Sequence, residues 1–323
     1  MGEDLGDVLE RMVGRRLVVL GDLMLDEHIW GKVERISPEA PVPVVQVKDR
    51  TSSPGGAGNV AANVAALGGR VTAVGVVGDD EAGRELTDDL EALGVDTGGI
   101  IIDESRPTVR KTRVIAHSQQ VVRIDREDPR EIAGHLAERL VAAVEDALAD
   151  ADGLLISDYE KGVVTGATAP PLIEWARGAG KLVTVDGKPR HFPLFRGADL
   201  VSPNVSEAAA ASGVYIVDDA SLAEAGEELL RRYDLRAVLI TRGEHGVSLF
   251  ARGQSPRHVS AAASEVYDVA GAGDTVIACC TLAMVSGATL ESAARLADYA
   301  AAVVVKKVGV ASASPEEIRS LIS

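Results

Sequence analysis

Asp268-Val-Ala-Gly-Ala-Gly-Asp274 is the stretch of sequence that decides the fold of this chain. The run that follows it, residues 275–285, contains neither Gly nor Pro, is mostly apolar, and ends close to a glycine. This pattern predicts a buried helix. Gly271, Ala272 and Gly273 would lie at its N-terminus, where unpaired N–H groups and the helix dipole attract an anion. The sequence therefore predicts an anion-binding turn at the start of a core helix.

Asp274 stands in the first turn of the same predicted helix. The positive end of the helix dipole is expected to keep its carboxylate ionised, and an ionised carboxylate can take a proton from an attacking hydroxyl. An anion cradle beside a base suits phosphoryl transfer. The alternative is structural: Gly-Ala-Gly is a loop before a core helix, and Asp274 is only an N-terminal cap.

The composition of the chain limits the classes of protein to which it can belong. It has 323 residues, and 46% of them are hydrophobic, which is enough for a sizeable core. The chain has no long uncharged apolar run, and its acidic N-terminus does not resemble a signal peptide, so we expect a cytoplasmic protein with no membrane partner. The formal charge is −16, from 33 basic and 49 acidic residues, and no basic stripe offsets it. Nucleic acid is therefore not expected as a partner.

Apolar runs alternate with amphipathic segments along the chain. Short buried strands are predicted at residues 17–20, 71–77, 154–156, 182–185, 200–201 and 238–240. Helices are predicted at residues 81–93, 132–149, 165–178 and 219–233. Continuous apolar strands with helical crossovers predict an α/β fold, with a mostly parallel sheet covered by helices on both faces.

Two segments do not fit this alternation. Residues 29–48 and 106–126 carry prolines, charges and β-branched residues, and no helix is predicted within them. They predict a small antiparallel β lid beside the main sheet. No internal repeat, low-complexity tract or long hydrophilic linker divides the chain, so residues 1–323 are expected to form a single domain.

A second glycine-rich stretch, Ser53-Pro-Gly-Gly-Ala-Gly-Asn59, opens a helix in the N-terminal half. Asn59 and Asn63 share one face of that helix, where two carboxamides can bind sugar hydroxyls; the alternative is a cap and a surface asparagine. Asp22 and Asp26 follow the first strand, at the edge where open α/β sheets bind ligands. Their carboxylates can accept hydrogen bonds from a polyol, or either can be an ordinary turn residue.

Polar residues also follow two later strands. Asn204 and Glu207 are one helical turn apart and can organise Mg²⁺ through water, or they can form a capping box at a helix start, two roles that are compatible. Thr241-Arg-Gly-Glu-His-Gly246 is a tight turn after strand 238–240, on the side expected for a nucleotide. Neither a Gly-x-x-x-x-Gly-Lys-Ser/Thr loop nor a Gly-x-Gly-x-x-Gly motif after the first strand is present, so P-loop and dinucleotide-binding folds are not supported.

Together, Gly55-Gly56 with Asn59 and the 268–274 stretch resemble the paired signatures of the ribokinase-like carbohydrate kinases. Within that family the chain is most similar to the D-glycero-D-manno-heptose 7-phosphate kinases. The segments that carry this likeness are Gly21-Asp-Leu-Met-Leu-Asp26, Arg35-Ile-Ser-Pro-Glu-Ala-Pro-Val-Pro-Val44, Pro54-Gly-Gly-Ala-Gly-Asn-Val-Ala61, Asp158-Tyr-Glu-Lys-Gly162 and Val266-Tyr-Asp-Val-Ala-Gly-Ala-Gly-Asp274. Segment 35–44 discriminates most, because general ribokinases and fructokinases do not usually show it.

The resemblance implies a ribokinase-like three-layer α/β/α sandwich with a β lid that often serves as a homodimer interface. It implies ATP as co-substrate, Mg²⁺ as cofactor and, as in some relatives, K⁺. The catalytic residues would be the base Asp274 and the anion hole Gly271, Ala272 and Gly273. The residues that bind the sugar phosphate would be Asp22, Asp26, Gly55, Gly56, Asn59, Lys161 and Lys188. The residues that bind the nucleotide would be Asn204, Glu207, Thr241, Gly243, Gly246 and Gly309, with Glu207 near Mg²⁺ and Asp268 as a candidate ligand for the monovalent cation.

Three positions depart from the family pattern. Ala270 stands where Thr is common, Glu160 stands where Gly is common, and Asp186-Gly-Lys188-Pro replaces the usual Asp-Pro-Lys-Gly. The last two changes alter how Lys161 and Lys188 are presented, and Arg35 and Arg110 are further candidates for binding a substrate phosphate.

The resulting hypothesis is transfer of the ATP γ-phosphoryl group to the C1 hydroxyl of a heptose 7-phosphate, without the nucleotidylyltransferase domain of bifunctional relatives. Two alternatives stay open: a kinase for another sugar or hexose phosphate, and a non-catalytic sugar-binding protein on the same fold.

Overall fold

The computed structural model describes residues 3–117, 119–263 and 265–322. Residue 118 of the predicted lid and residues 1, 2, 264 and 323 of the predicted domain lie outside the described residues. The strands are β1 (Arg16–Gly21), β2 (Leu23–Ile36), β3 (Pro43–Gly56), β4 (Arg70–Val77), β5 (Asp96–Ile102), β6 (Val109–Ala116), β7 (Gln119–Arg126), β8 (Gly153–Ser157), β9 (Leu182–Asp186), β10 (Leu200–Val201), β11 (Ala237–Thr241), β12 (Val247–Ala251) and β13 (Arg257–Val259). The helices are α1 (Leu5–Met12), α2 (Ala57–Ala66), α3 (Glu81–Ala92), α4 (His135–Ala149), α5 (Ala169–Gly178), α6 (Val205–Ser212), α7 (Asp219–Arg232), α8 (Ala272–Val285), α9 (Leu290–Val304) and α10 (Pro315–Ile322).

The larger sheet has the strand order β13-β12-β11-β10-β9-β8-β1-β4-β5. All neighbours from β5 to β11 pair in parallel, and β12 and β13 extend the sheet in antiparallel pairing. This confirms the mostly parallel central sheet. The antiparallel extension was not predicted, and neither were α1, β5 and α10.

Helices cover both faces of this sheet because its central strands carry apolar side chains on both faces. In β1, Leu17 and Val19 join a core cluster that includes residues of α1, α2, α3, α8, α9 and α10. Val18 and Leu20 join a second cluster with residues of α4, α5, α6 and α7. Alternate side chains of a strand point to opposite faces, so one apolar strand contributes to two cores. The three-layer α/β/α architecture is therefore confirmed.

The smaller sheet has the order β3-β2-β6-β7. Two antiparallel hairpins, β2–β3 and β6–β7, are joined by a parallel pairing of β2 with β6. The predicted antiparallel lid is thus present, with a parallel pair at its centre. Its strands extend beyond predicted segment 29–48, because β2 already begins at Leu23 and β3 continues to Gly56. The polar stretch 49–56, with its Ser, Pro and Gly residues, gives no apolar strand pattern.

Lid strand β3 runs directly into helix α2, so the lid and the helix that carries Asn59 are covalently joined. Gly56 makes the junction with a φ of 56°, a value that favours glycine. A Cβ atom there would lie 2.4 Å from the carbonyl oxygen of Asp22, so the close approach also requires glycine. None of the helices in the described ranges is both long and apolar enough to span a membrane.

Candidate active site

The polar residues singled out from the sequence lie around the carboxyl ends of the parallel strands. Asp22 follows β1, Asp158 follows β8, Asp186 ends β9, and Thr241 ends β11. The N-terminus of α8 reaches the same edge, since Asp274 contacts Tyr159 in the loop after β8. Open α/β sheets bind ligands at this edge, so the topology brings the predicted site residues together.

Asp274 is buried, with 6% of its surface exposed, and both of its carboxylate oxygens accept hydrogen bonds. The side-chain nitrogen of Asn59 donates to Oδ2 at 2.6 Å, and the Tyr159 hydroxyl donates to Oδ1 at 2.5 Å. Burial raises the pKa of Asp274, although these two bonds and the charge of Lys188 act in the opposite direction. Burial thus acts against the charged form, and the expectation that the helix N-terminus keeps this carboxylate ionised stays a prediction.

The turn before α8 has the form of an anion cradle. Gly271 has a φ of 75°, and a Cβ atom on it would lie 2.7 Å from the side-chain nitrogen of Asn59, so only glycine fits. Within the described residues, the backbone N–H groups of Gly273 and Asp274 donate to no acceptor, whereas the N–H of Ala272 donates to the carbonyl of Val269. A Cβ atom on Gly273 would meet nothing within 4 Å. Two donors of the turn thus have no acceptor within the described residues, the space at Gly273 is open, and the amide of Ala272 is not a free donor.

Asn59 and Asn63 have different environments, although they share a helix face. Asn63 is fully buried: it donates to both oxygens of Asn59, and its own side-chain oxygen accepts from Thr275 Oγ1 at 2.8 Å. The expectation that both carboxamides contact a sugar is therefore wrong for Asn63. It holds α2 against α8 and fixes the side chain of Asn59 toward Asp274.

The two acidic residues after β1 also differ. The Asp22 carboxylate, 1% exposed, accepts backbone N–H groups from Tyr159, Lys161 and Val163 at 2.7, 3.0 and 3.1 Å. Asp22 therefore anchors the loop after β8, and burial raises its pKa. Asp26 pairs with Arg113 on β6 at 2.5 Å. A Cβ atom on Gly55 would lie 2.3 Å from Asp26 Oδ2, so this glycine lets the carboxylate sit close to β3.

Lysines approach the site from the body and from the lid. Lys188 donates to Glu207 Oε1 at 2.6 Å and lies 5.2 Å from the centre of the Tyr159 ring. Burial alone would lower the pKa of Lys188, but the ion pair with Glu207 raises it above its usual value. Lys161 pairs with Glu127 at 2.9 Å. Lys111, on lid strand β6, lies 5.6 Å from the same tyrosine ring.

The structure does not bring every candidate phosphate ligand to this place. Arg35 is exposed on β2, toward the end of the β2–β3 hairpin. Arg110 neighbours Lys111 on β6, so its side chain lies on the opposite face of the lid, where it acts electrostatically on Glu27 and Glu85. The sequence analysis missed Lys111, because strand alternation places it on the inner face only once the lid is folded.

The predicted nucleotide residues fall into three groups. Asn204 and Glu207 form the capping box of α6, and Glu207 also pairs with Lys188. A cavity of about 740 Å³ opens beside the cradle; the predicted residues that line it are Thr241, Gly243, Gly246, Ala272 and Gly273. Gly309 does not line that cavity: its N–H donates to Asp268 Oδ2 at 3.0 Å, and both residues line a separate cavity with His28 and Trp30.

An excess of negative charge surrounds the cradle. Burial, together with the neighbouring Asp274, Glu207 and Asp158, raises the pKa of Asp186 to about 8. Burial and Asp22 raise the pKa of Asp158 to about 6. Across the described ranges, no group of three acidic, His or Cys side chains forms a metal cage. The arrangement fits a cation held largely by phosphates and water, as Mg²⁺ usually is, with a few carboxylates nearby.

Tyr159 and Asp186 are further site residues that sequence reasoning missed. Tyr159 belongs to segment 158–162, which carries the family likeness, and Asp186 to segment 186–188, which departs from the family pattern. Tyr159 follows β8, and Asp186 ends β9. Their position at the carboxyl edge was a usable signal. The sequence carries no signal for the hydrogen bond of Tyr159 to Asp274 or for the electrostatic effect of Asp274 on Asp186, because both depend on how α8 packs against the sheet.

The chain is similar in sequence to a family of known proteins and to individual curated proteins. The profile of the pfkB family carbohydrate kinases matches residues 15–317. "Bifunctional protein HldE" of Geobacter sulfurreducens is 49% identical over 301 residues, which are 93% of this chain and 61% of that protein. "Bifunctional protein HldE" of Desulfatibacillum aliphaticivorans is 45% identical over 305 residues, 94% of this chain and 62% of that protein. The chain thus spans less than two thirds of the length of these curated relatives.

Solved structures show the same fold at lower identity. Arabidopsis thaliana ribokinase complexed with ribose and ATP has a TM-score of 0.79 and 22% identity, and the match covers 96% of this chain and 99% of that one. Phosphofructokinase-2 from Escherichia coli in complex with potassium has a TM-score of 0.80 and 20% identity, covering 96% and 98%. The ribokinase-like fold expected from the paired motifs is confirmed. The chain belongs to the pfkB family of carbohydrate kinases.

Proposed function

We propose that this chain transfers the γ-phosphoryl group of ATP to the anomeric C1 hydroxyl of D-glycero-D-manno-heptose 7-phosphate, giving the 1,7-bisphosphate. The observation that carries the proposal is the position of Asp274 directly beside the free N–H groups of the cradle, next to the 740 Å³ cavity. A sugar-binding protein without catalysis has no need of a base beside an anion cradle. The heptose acceptor is supported by segment 35–44 and by the identity to the two bifunctional relatives.

Asp274 would take the proton of the acceptor hydroxyl. Its raised pKa makes the carboxylate a stronger base than an exposed one, and the positive charge of Lys188 helps to keep it ionised. The N–H groups of Gly273 and Asp274 would stabilise charge on the transferring phosphoryl group. Because transition states of phosphoryl transfer are loose, positioning and electrostatics should contribute more than proton removal.

The phosphates of ATP would lie between the cradle and the Lys188–Glu207 pair, with the base in the cavity lined by Thr241, Gly243 and Gly246. Mg²⁺, when bound, supplies positive charge to the phosphate oxygens. Glu207 and Asp186 are the carboxylates that would hold it, through water; burial and Asp274 raise the pKa of Asp186, and a bound cation would favour its charged form. In this arrangement Lys188 would contact the transferred phosphoryl group, whereas the sequence analysis placed it on the sugar phosphate.

The substrate's own phosphate would bind Lys161 and Lys111. The two ammonium groups come from the body and the lid, and each has a carboxylate nearby: Lys161 pairs with Glu127, and Asp26 acts electrostatically on Lys111. Asp26, Asn59 and the backbone at Gly55 and Gly56 would contact the sugar hydroxyls, while Asp22 holds the loop that carries Lys161.

Three further proposals accompany this function. Asp268 would contribute to a K⁺ site, since its carboxylate already joins the turn at Ala270 to the loop at Gly309. The chain would form a homodimer through the lid, where apolar side chains are exposed at Ile36, Val42, Val47, Val122 and Ile124. It would act in the cytoplasm, where ATP is available.

The test is ADP release with Mg-ATP against heptose 7-phosphate, fructose 1-phosphate, fructose 6-phosphate, ribose and fructose, with the Asp274→Asn variant as the inactive control. We expect the highest kcat/KM with the heptose phosphate. Preference for a hexose phosphate would replace the substrate and keep the reaction. No sugar-dependent ADP release from any acceptor would contradict the kinase activity itself.

A further inference from the structure

The hydroxyl of Tyr159 contacts the carboxylate that, in the proposed function, takes the proton of the acceptor hydroxyl. Asp274 has two carboxylate oxygens, and Asn59 already donates to Oδ2 at 2.6 Å. The remaining oxygen, Oδ1, is the one to which the Tyr159 hydroxyl donates, at 2.5 Å. Each carboxylate oxygen can accept a second hydrogen bond, but a sugar hydroxyl that approaches Oδ1 from the side of Tyr159 must displace the tyrosine hydroxyl.

The backbone of Tyr159 is fixed, so displacement must come from its side chain. Its N–H donates to Asp22 Oδ2 at 2.7 Å, and the same carboxylate holds Lys161 and Val163 of the loop. Rotation of the side chain moves the hydroxyl away from Asp274 without breaking these bonds. Burial and the adjacent Asp274 raise the pKa of the phenol, so the hydroxyl stays protonated as a donor.

The ring of Tyr159 contacts a lysine from each half of the site. Lys188, from the body, lies 5.2 Å from the ring centre, and Lys111, from lid strand β6, lies 5.6 Å from it. Cation–π contacts of this kind stabilise the ring in its present position. Both lysines would be attracted to the phosphate groups of the substrates. Binding of these phosphates would therefore weaken the two cation–π contacts to the Tyr159 ring when the acceptor arrives.

We propose that Tyr159 is a specificity-determining residue that occupies the acceptor position on Asp274 in the sugar-free enzyme and so denies this position to water. The proposal rests on the proposed function, in which Asp274 is the base. A water molecule bound to Oδ1 beside the cradle would be as well placed as a sugar hydroxyl to attack the γ-phosphorus of ATP. The Tyr159 hydroxyl keeps water from binding Oδ1 at this position. Only an acceptor that makes many other contacts with the site can displace it.

The first experiment measures ATP hydrolysis without any sugar, at saturating Mg-ATP, in wild type, Tyr159→Phe and Tyr159→Ala. Phe keeps the ring but vacates a space of about one water beside Oδ1, and Ala removes the ring as well. We expect sugar-independent ADP release to rise about tenfold or more in the Phe variant, in line with loss of a hydrogen bond to a charged group, and further in the Ala variant. Tyr233→Phe is the matched control, because the Tyr233 hydroxyl donates to the carbonyl of Ala211, away from the site.

The second experiment follows the ring directly. The chain has five tyrosines, so a ¹³C-tyrosine NMR spectrum is simple to assign, and the signal lost in Tyr159→Phe is that of Tyr159. When the sugar phosphate is added without nucleotide, we expect the largest shift among the five tyrosine signals to be that of Tyr159. We also expect the KM for sugar to fall in Tyr159→Phe, because the competitor for Oδ1 is gone.

Unchanged sugar-free hydrolysis in both variants would overturn the proposal, as would a fall in kcat with no change in the KM for sugar. Phosphate found on Tyr159 by mass spectrometry after incubation with Mg-ATP would also overturn it, since the residue would then be an acceptor. The hydrolysis assay requires no knowledge of the sugar. Failure of the proposed acceptor, heptose 7-phosphate, is therefore distinguished from failure of the role of Tyr159.

Discussion

The side chain of Asn59 donates a hydrogen bond to Oδ2 of Asp274 across 2.6 Å, although the two residues are 215 positions apart in the chain. This bond joins the glycine-rich stretch at the start of α2 to the one at the start of α8. It lowers the pKa of Asp274, while burial raises it. The two motifs therefore form one site, in which Asn59 helps to set the basicity of the carboxylate.

Replacement of Asp274 by Asn should lower kcat by about two to four orders of magnitude, because the amide cannot accept the acceptor's proton. The fold should be retained, since Asn has nearly the same shape and the buried carboxylate carries a raised pKa. Thermal unfolding near pH 7 should show a melting temperature equal to or above that of wild type. Turnover close to wild type would remove Asp274 from its assigned role.

Replacement of Asn59 by Ala should shift the acidic limb of the pH profile of kcat/KM to higher pH. The bond from Asn59 favours the charged form of Asp274, so its loss raises the pKa further, and more alkaline conditions are then needed to ionise the base. The pH profile of the KM for ATP serves as the internal control and should not change, because Asn59 does not line the nucleotide cavity. A limb that moves to lower pH would contradict the assigned contact.

The sequence predicted those parts of the fold and site that depend on local pattern. The apolar run of β1, the glycine-rich turn before α8 and the assignment of the motifs of Asn59 and Asp274 to one sugar-kinase site follow from composition and from the paired motifs. The contacts of Tyr159, Lys111 and Asp186 do not, because they depend on the packing of elements far apart in sequence. Lys111, for example, lies beside Asp26 only because β6 pairs in parallel with β2. The rise in the pKa of Asp274 could not be predicted for a similar reason, because burial is a property of the packed site.

Replacement of Lys161 by Met should raise the KM for a phosphorylated sugar by about tenfold or more, because a charge-assisted hydrogen bond to phosphate is lost. The KM for ATP should change little. Lys181→Met is the matched control, since the Lys181 ammonium donates only to the carbonyls of Ala149 and Ala151 in the described structure. A parallel rise in both KM values would indicate a folding defect instead of a lost phosphate contact.

Replacement of Asp186 by Asn should stabilise the ligand-free protein at pH 8 and not at pH 4. The pKa of Asp186 is about 8 in the folded protein and near its model-peptide value when unfolded, so the folded state binds the extra proton. Its contribution to the free energy of unfolding is complete below pH of about 4 and is lost as the pH rises toward 8. Melting temperatures measured across this range should fall less steeply in the variant. An equal change in melting temperature at pH 4 and at pH 8 would show that the charge of Asp186 is not the cause of the stabilisation.

Replacement of Asp298 by Ala should weaken ATP binding and leave the KM for sugar unchanged. Asp298 lines the 740 Å³ cavity, and its Oδ2 accepts the N–H of Ala262 at 2.8 Å, so it holds segment 261–263 against α9 at the edge of that cavity. Without this acceptor, the wall that contains Ala261 and Ala263 loses its attachment to the helix. Asp298→Asn keeps an oxygen for the Ala262 N–H and is the matched control, with a smaller effect.

Burial raises the pKa of Asp298 to about 6, so the wild-type carboxyl gains a proton as the pH falls below that value, whereas the Asn side chain does not titrate. We therefore expect the KM for ATP to vary with pH near 6 in wild type and to be flat there in Asp298→Asn. Equal effects of Ala and Asn on the KM for ATP would show that the bond to Ala262 does not shape the nucleotide site.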